Sequence, residues 1–500
     1  MRQTALTQRR HERQGSAKAI ILSLILISTS VLPLAGCGAR RTPNLERIFA
    51  QARQRRGKRP LIVIPGILGS QLVNYETGEV VWPSIFRSSN DGLSLPISRD
   101  LSASRDKLVA RKIVDTIRLA RLVPEVYVYH ELLEALRRYG GYSEGDWANP
   151  GADGDHDTFY VLPYDWRRDN VETARDLFMR LETLKRKLNR PDLRFNILAH
   201  SMGGLVARYA AMYGEADLPL EAEPVPTWAG AAHINKIIMF GTPNEGSMNA
   251  FATLLEGYSV TEGLRTPIRL LNKLSREDAL TTPSIFQLLP HSASVRFLDE
   301  NLKPIAIDLY DPEVWRRYGW SPVNDEDFRR RYANGKTVGD YAPFSGGSLE
   351  ELDAYFATVL RRAKRFHDAL DATAGGEAPV AMFAFGGDCE ETLEAPVLLR
   401  DEKKGRWVTL THPRDFRTST GRRVKRREAT LVMYAPGDGR VTRRSVLAET
   451  LAEGRHNNAL FNSGLPIVYA VFACDLHGDL QNNKTLQDNA LTALVSEAMK

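Results

Sequence analysis

Cysteine is scarce in this chain. There are three in 500 residues, at positions 37, 389 and 474. That count excludes a disulfide scaffold, and no Cys/His pairs stand at the spacing of a zinc motif. Long apolar runs are missing too. The most apolar stretch, residues 19–30, is shorter than the ~20 residues a membrane-spanning helix needs. No internal repeat is present. Excess charge of one sign is confined to the N-terminus. Residues 1–36 hold five Lys/Arg and one acid, whereas the remaining 464 residues hold 62 basic and 60 acidic groups. The formal net charge of +6 is therefore no argument for nucleic-acid binding. What is present is 43% hydrophobic and 26% charged, the composition of a globular protein. The length suits one large α/β domain with insertions, or several smaller domains.

Arg2, Arg9, Arg10, Arg13 and Lys18 precede or open the apolar run, which leads into Leu34-Ala-Gly-Cys37. This three-part build predicts a secretory signal over residues 1–36. Residues 34–37 resemble the bacterial lipobox. The resemblance implies that Cys37 is acylated and becomes the mature N-terminus, tied to a membrane surface without a spanning segment. Gly38, which is not Asp, then implies the cell envelope's outer membrane if the cell is Gram-negative. The alternative is an uncleaved anchor with an incidental cysteine. Residues 38–59 are polar and Arg-rich and read as a tether.

From residue 60 onward, short apolar runs end in turn residues. Residues 61–65, 159–163, 195–199, 234–240, 380–385 and 466–474 read as buried strands. Helical patterns cover 130–139, 204–213 and 485–499. Alternating β and α elements predict a doubly wound, mostly parallel sheet. Three segments are too long for plain connections: 71–154, expected as a cap, 245–376, expected as a lid, and 390–435, expected as a β excursion. The third holds two alternating runs, 406–411 and 429–434, with Arg414, Arg417, Arg422, Arg423, Lys425, Arg426 and Arg427 between them. They read as a solvated hairpin, or as a patch for anionic headgroups.

Phe195-Asn-Ile-Leu-Ala-His-Ser-Met-Gly-Gly carries the chemistry. An apolar strand runs into Ala199-His-Ser201-Met-Gly203, and a helix follows at once. This is the context of a nucleophile elbow. A serine hydroxyl is a weak nucleophile until it is held out of the backbone beside a base. Small residues two before and two after it let strand and helix approach closely. The following helix aims its N-terminus at the oxyanion that forms. On this fold the acid and then the histidine follow the serine in chain order. His477 follows the final apolar run, where the base belongs. Three acids compete for the orienting role. Asp438 lies in Pro436-Gly-Asp-Gly-Arg-Val, Asp388 follows the 380–385 strand, and Asp475 sits close to His477 along the backbone. The loop at Pro65-Gly66 ends an early strand and is placed to supply one oxyanion N–H, with Met202 N–H as the other.

Pro65-Gly-Ile-Leu-Gly-Ser-Gln-Leu, Pro163-Tyr-Asp-Trp-Arg, Ala199-His-Ser-Met-Gly-Gly, Gly241-Thr-Pro-Asn-Glu-Gly and Gly437-Asp-Gly-Arg-Val together resemble the lecithin:cholesterol acyltransferase family. That family includes lysosomal phospholipase and phospholipid:diacylglycerol acyltransferases. The resemblance implies an α/β-hydrolase fold over residues 60–500. It implies Ser201, Asp438 and His477 as the triad and Ile67 with Met202 as oxyanion donors. It also implies that Tyr164, Asp165, Trp166 and Arg167 shape the acyl pocket, and that the insert after Gly241-Thr-Pro is a lid. The competing reading of 164–167 is a packed aromatic turn with an Asp–Arg pair. Arg440 stands where the family usually has Thr. Cys389 and Cys474 follow strands that neighbour each other in this fold. They are either a disulfide behind the His477 loop or two buried thiols.

The expected activity is that of a serine acyl-hydrolase or O-acyltransferase on lipid esters. It works through an acyl-enzyme and needs no metal or organic cofactor. Its partners are a lipid ester and, through the N-terminal anchor, a membrane surface. The alternative is a non-catalytic lipoprotein that uses the scaffold to bind lipid or a partner.

Overall fold

Apolar side chains on both faces of a strand demand cover on both sides, and the strand order provides it. The computed structural model describes residues 42–84, 92–117, 126–219, 221–259, 273–335, 347–373, 377–449 and 463–496. The expected signal segment, the lipobox with Cys37 and residues 38–41 of the tether lie outside the described residues.

The central sheet has seven parallel strands: β1 (Leu61–Ile64), β2 (Ser143–Glu144), β3 (Thr158–Val161), β4 (Phe195–His200), β5 (Ile234–Phe240), β6 (Ala381–Gly387) and β7 (Ile467–Ala473). Their order across the sheet is β7-β6-β5-β4-β1-β3-β2, with Val63 opposite Leu198 and Met239 opposite Ala199. Alternate residues of one strand enter opposite cores. Leu61 and Val63 of β1 pack with Leu132, Leu136, Leu486 and Leu491. Ile62 and Ile64 pack with Leu177, Leu181 and Leu205 on the other face. Each such side chain contributes roughly 1.5–3 kcal/mol on burial.

Five helices supply those faces: α1 (His130–Arg138), α2 (Asn170–Lys187), α3 (Met202–Tyr213), α4 (Leu349–Asp371) and α5 (Lys484–Val495). Helix α2 starts where the Asp169 side chain accepts from Val171 N, and α5 where Asn483 accepts from Thr485 N and Leu486 N. Helix α3 has no polar face because all twelve of its residues are buried, with α2 and α4 packed against it. The strand order reverses at β1 and β4. In a parallel sheet, the crevice beyond such a reversal is where ligands bind. The all-parallel order and two helix layers are those of an α/β-hydrolase.

Three boundaries differ from the expectation. Strand β2 lies inside 71–154, so that segment holds one of the sheet's own strands beside the antiparallel trio Ser70–Asn74, Val80–Trp82 and Leu108–Ile113 and the short pair Thr116–Ile117 and Val126–Tyr127. Two polar, exposed residues on a sheet edge carry no apolar signal. Helix α4 lies inside 245–376, yet it is the crossover from β5 to β6 and buries Tyr355, Val359, Leu360 and Phe366 in the main core. The run 429–434 is not a strand. Arg426–Met433 is a helix that buries Ala429 and Met433, four apart, and leaves Leu431 exposed. The helical period decided there, not the alternation. The run at 406–411 does form a strand, Arg406–Leu410, paired with Val397–Asp401.

Candidate active site

Strand β4 ends at His200, and the chain must reverse at once into α3. Ser201 takes that turn with φ of 53°, a left-handed conformation unusual for a residue with a Cβ. Its N–H donates to Phe240 O at 2.7 Å and its carbonyl accepts from Gly204 N at 3.0 Å. The turn leaves no room for side chains. A Cβ on Gly203 would lie 2.5 Å from Pro65 O, and one on Gly204 would lie 2.0 Å from Thr242 Oγ1. Ala199 on β4 is fully buried and small enough to be accommodated.

Ser201 Oγ lies 2.8 Å from His477 Nε2, and His477 Nδ1 lies 2.8 Å from Asp438 Oδ2. Asp438 is fully buried. Its second oxygen accepts from Arg440 N at 2.9 Å and Val441 N at 2.7 Å. His477 N–H donates to the Asp438 carbonyl at 2.9 Å, so the two loops are joined by backbone as well as side chain. Asp388 follows β6 and Asp475 accepts from Asn483 Nδ2 at 3.0 Å. Among the acids considered, only Asp438 reaches the His477 ring in the described contacts. Cys389 and Cys474 are joined by a disulfide beside the β6–β7 ends.

The Ile67 and Met202 N–H groups donate to no described residue, whereas their neighbours are engaged: Gly66 N donates to Tyr129 Oη at 2.9 Å. Tyr129 and His200 were not singled out as functional from sequence, yet they tie the site together. His200 Nε2 lies 3.0 Å from the carbonyl of His477, which can only accept, so Nε2 carries the proton. Nδ1 is then an acceptor, and the Tyr129 hydroxyl, 2.8 Å away, donates to it. Burial pushes the His200 pKa down to about 3, so the ring stays neutral and the tautomer is fixed. Burial also raises the Tyr129 hydroxyl far above its usual range. A chain of hydrogen bonds thus runs from the Pro65-Gly66 loop through Tyr129 and His200 to the loop bearing His477.

Residues 164–167 have the contacts of the alternative reading, a packed aromatic turn with an Asp–Arg pair. They line neither cavity at Ser201. Tyr164 Oη donates to Pro65 O at 2.9 Å, and Trp166 Nε1 donates to Ser70 O at 3.2 Å. Arg167 is fully buried, and all five of its N–H groups are used, on Asp165, Asp106 and Leu93 O. These residues act as a packed brace beneath the loop before Ile67. The reason is geometric: their polar atoms are spent on the Pro65 and Ser70 carbonyls, on Asp165, and on Leu93 and Asp106 of the insert.

Two apolar arms meet at Ser201 and His477. One is walled by Leu274, Ile285, Leu288 and Ala250. The other is walled by Trp82, Val114 and Val128. Ile67, Leu68, Tyr258 and Arg440 border both. The Arg440 guanidinium sits 4.4 Å from the centre of the Tyr258 ring.

A family comparison bears on this half of the fold. Residues 124–338 match the lecithin:cholesterol acyltransferase family. The matched lecithin:cholesterol acyltransferase segment includes Ser201 and ends before Asp438 and His477. No curated protein sequence matches the chain. Among solved structures, it is similar to the Tle4–Tli4 complex at 15% identity and TM-score 0.48, covering 88% of this chain and 99% of that one. It is also similar to Bacillus licheniformis lipase BlEst2 in its propeptide form (10%, TM-score 0.32, 89% and 51% covered) and to EstA from Clostridium botulinum (11%, TM-score 0.31, 89% of each).

Proposed function

We propose that this chain is a serine acyl-hydrolase or O-acyltransferase of lipid esters. One observation carries the reading: the unbroken Ser201–His477–Asp438 contact line, with both links at 2.8 Å, at the junction of two apolar arms. Ser201 Oγ attacks the ester carbonyl while His477 Nε2 takes its proton. The carbonyl oxygen becomes an anion facing the Ile67 and Met202 N–H groups at the start of α3. Asp438 holds Nδ1–H of His477 and stabilises the imidazolium. His477 then protonates the departing alcohol, leaving an acyl-enzyme. A water or second alcohol enters, His477 removes its proton as the oxygen bonds to the acyl carbon, and His477 returns that proton to Ser201 Oγ as the acyl group leaves. An ester with apolar chains on both sides of its carbonyl suits the branched cleft, and the lecithin:cholesterol acyltransferase match supports the lipid class.

Mixed phospholipid and glyceride vesicles, with and without a long-chain alcohol, provide the test. Fatty acid release, or transfer to the added alcohol, is expected for the native chain and lost in Ser201→Ala. No acyl product from any lipid would refute the reading. We also propose the Cys37-anchored lipoprotein form at the cell envelope. Its check is incorporation of a labelled fatty acid into the chain, with none in Cys37→Ser.

A further inference from the structure

Away from the cleft, positive charge is concentrated in one place. Residues 412–433 hold seven Lys/Arg and two acids, a net charge of +5, while the other 442 residues beyond position 36 hold 55 basic and 58 acidic groups. A local excess of this size on a slightly acidic body is an electrostatic footprint. Both acids are spent inside the segment. Asp415 pairs with Arg423 at 2.9 Å, and Glu428 pairs with Arg422. Arg417 Nη1 donates to Gly421 O at 3.3 Å. The exposed side chains of Arg414, Lys425, Arg426 and Arg427 form no ion pair among the described residues.

Apolar surface lies among these cations. The Arg426–Met433 helix turns Ala429 and Met433 into the core, which leaves Leu431 and Val432 on the outside. Leu431 is 75% exposed, more than any other large apolar side chain among the described residues, and Val432 is 39% exposed. Arg427 stands one helical turn before Leu431 and shares its face. The segment is anchored to the body of the protein. Phe416–Arg417 pairs with Arg423–Val424, Val424 is fully buried, and Ser419 N donates to Glu300 Oε2 at 2.9 Å. It is also joined to the cleft. The helix runs directly into Tyr434–Gly437 and Asp438. Thr411 Oγ1 donates to Glu256 Oε1 at 2.5 Å, at the end of the Met248–Glu256 helix whose Asn249, Ala250 and Thr253 line one arm.

We propose that this face docks on an anionic phospholipid bilayer, independently of any N-terminal anchor. Leu431 and Val432 enter the headgroup layer, and the cations around them meet lipid phosphates. Attraction to the charged surface draws such a segment in, and buried apolar area holds it there. Each cation close to the surface strengthens binding roughly fivefold. A nucleic acid is the rival polyanion and fits less well. Phosphate contacts alone account for the cations but not for an exposed leucine, and residues 412–433 expose no large aromatic side chain on which a base could stack. Docking holds the chain by the elements that carry Asp438 and one wall of the cleft, which on the proposed function brings the site to its substrate's surface.

The chain from residue 38 onward lacks the acyl anchor and the apolar leader and keeps the whole compact unit Leu45–Lys500. It is sedimented with vesicles of phosphatidylcholine, with or without phosphatidylglycerol. The readout is partition, so the result stands whether or not the chain cleaves esters. Binding to the anionic vesicles should be roughly 30-fold or more tighter than to the neutral ones, and should fall roughly tenfold or more between about 0.1 M and 0.5 M salt. The combined variant Arg414→Gln, Lys425→Gln, Arg426→Gln and Arg427→Gln should lose roughly 30-fold or more of that affinity, and Leu431→Ser roughly fivefold. Both should melt within about 2 °C of the native chain, since the changed side chains are exposed. Leu431→Trp adds a direct probe of insertion. Relative to the native chain, its extra emission should shift to the blue on anionic vesicles and be quenched by brominated acyl chains. Equal binding to neutral and anionic vesicles, a charge variant that binds as the native chain does, or an unshifted emission from bound Leu431→Trp would overturn the proposal. Tighter binding to DNA than to the anionic vesicles would overturn it in favour of a nucleic-acid partner.

Discussion

The floor of the cleft and its walls are held by different forces. On the floor, Ser201, Asp438 and His477 sit on loops at strand ends, and each loop is tied to another by directional hydrogen bonds. Ser201 N–H donates to Phe240 O, His477 N–H donates to Asp438 O, and Gly66 N–H reaches His200 through Tyr129. The walls are apolar: Leu274, Ile285 and Leu288 on the insert after β5, and Trp82 and Val114 on the segment after β1. They hold position by packing. A hydrogen-bonded floor tolerates no misplacement, because the reacting atoms must meet within a few tenths of an ångström. A packed wall tolerates a change of shape at modest cost. On the proposed function, reaction and substrate choice are therefore separable by mutation, the first on the floor and the second on the walls.

The largest expected effect is on the floor. Asp438→Asn should lower kcat roughly ten-thousand-fold in a steady-state ester assay, with an unchanged melting temperature to within a few degrees. The amide can hold the wrong imidazole tautomer and cannot stabilise the imidazolium. A loss of tenfold or less would place Asp438 outside the machinery. Next comes the relay under the floor. Tyr129→Phe removes the one hydroxyl between Gly66 N–H and His200 Nδ1. It should reduce kcat by roughly 10- to 100-fold and leave KM within about twofold, since the oxyanion loop is positioned through it. An equal rise in KM would show that the relay shapes the cleft and not the reacting centre.

A wall substitution should act differently. Leu288→Trp narrows one arm. Turnover of long-chain esters should fall by roughly tenfold or more while short-chain esters are spared, because overpacking costs about 1–3 kcal/mol only where the chain must lie. Equal loss on both would merge wall and floor. The last expected effect is on acid stability and leaves turnover aside. His200 has its pKa lowered to about 3 by burial, so the folded chain stays unprotonated there while the unfolded chain binds a proton below about pH 6.5. Its contribution is present above that pH and is lost as pH falls toward 3, at about 1.4 kcal/mol per pH unit. Denaturant melts between pH 7 and 4 should show a shallower acid slope for His200→Gln than for the native chain.

The parts legible in sequence share a cause. Six strands announce themselves as apolar runs because both sheet faces are buried, and the Ser201 turn announces itself because only small residues fit around it. The unread parts depend on contacts between distant positions. Tyr129 and His200 are 71 residues apart, and Arg167 acquires its purpose only from Asp106 and Leu93. Asp438, Asp388 and Asp475 were not separable by position alone; backbone N–H donors at Arg440 and Val441 distinguish the first. Sequence likewise leaves the cysteines at 389 and 474 open between thiols and a disulfide, and the pairing of their strands side by side decides for the disulfide. The helix at Arg426–Met433 carries a strand-like signal in sequence because an exposed Leu431 between buried Ala429 and Met433 imitates strand alternation.

Covalent labelling with a fluorophosphonate, followed by peptide mass spectrometry, tests the central claim most directly. The account expects one adduct on Ser201, formed at a rate that collapses in His477→Ala and Asp438→Asn. A folded chain that stays unlabelled, or that carries its adduct on another residue, would contradict it.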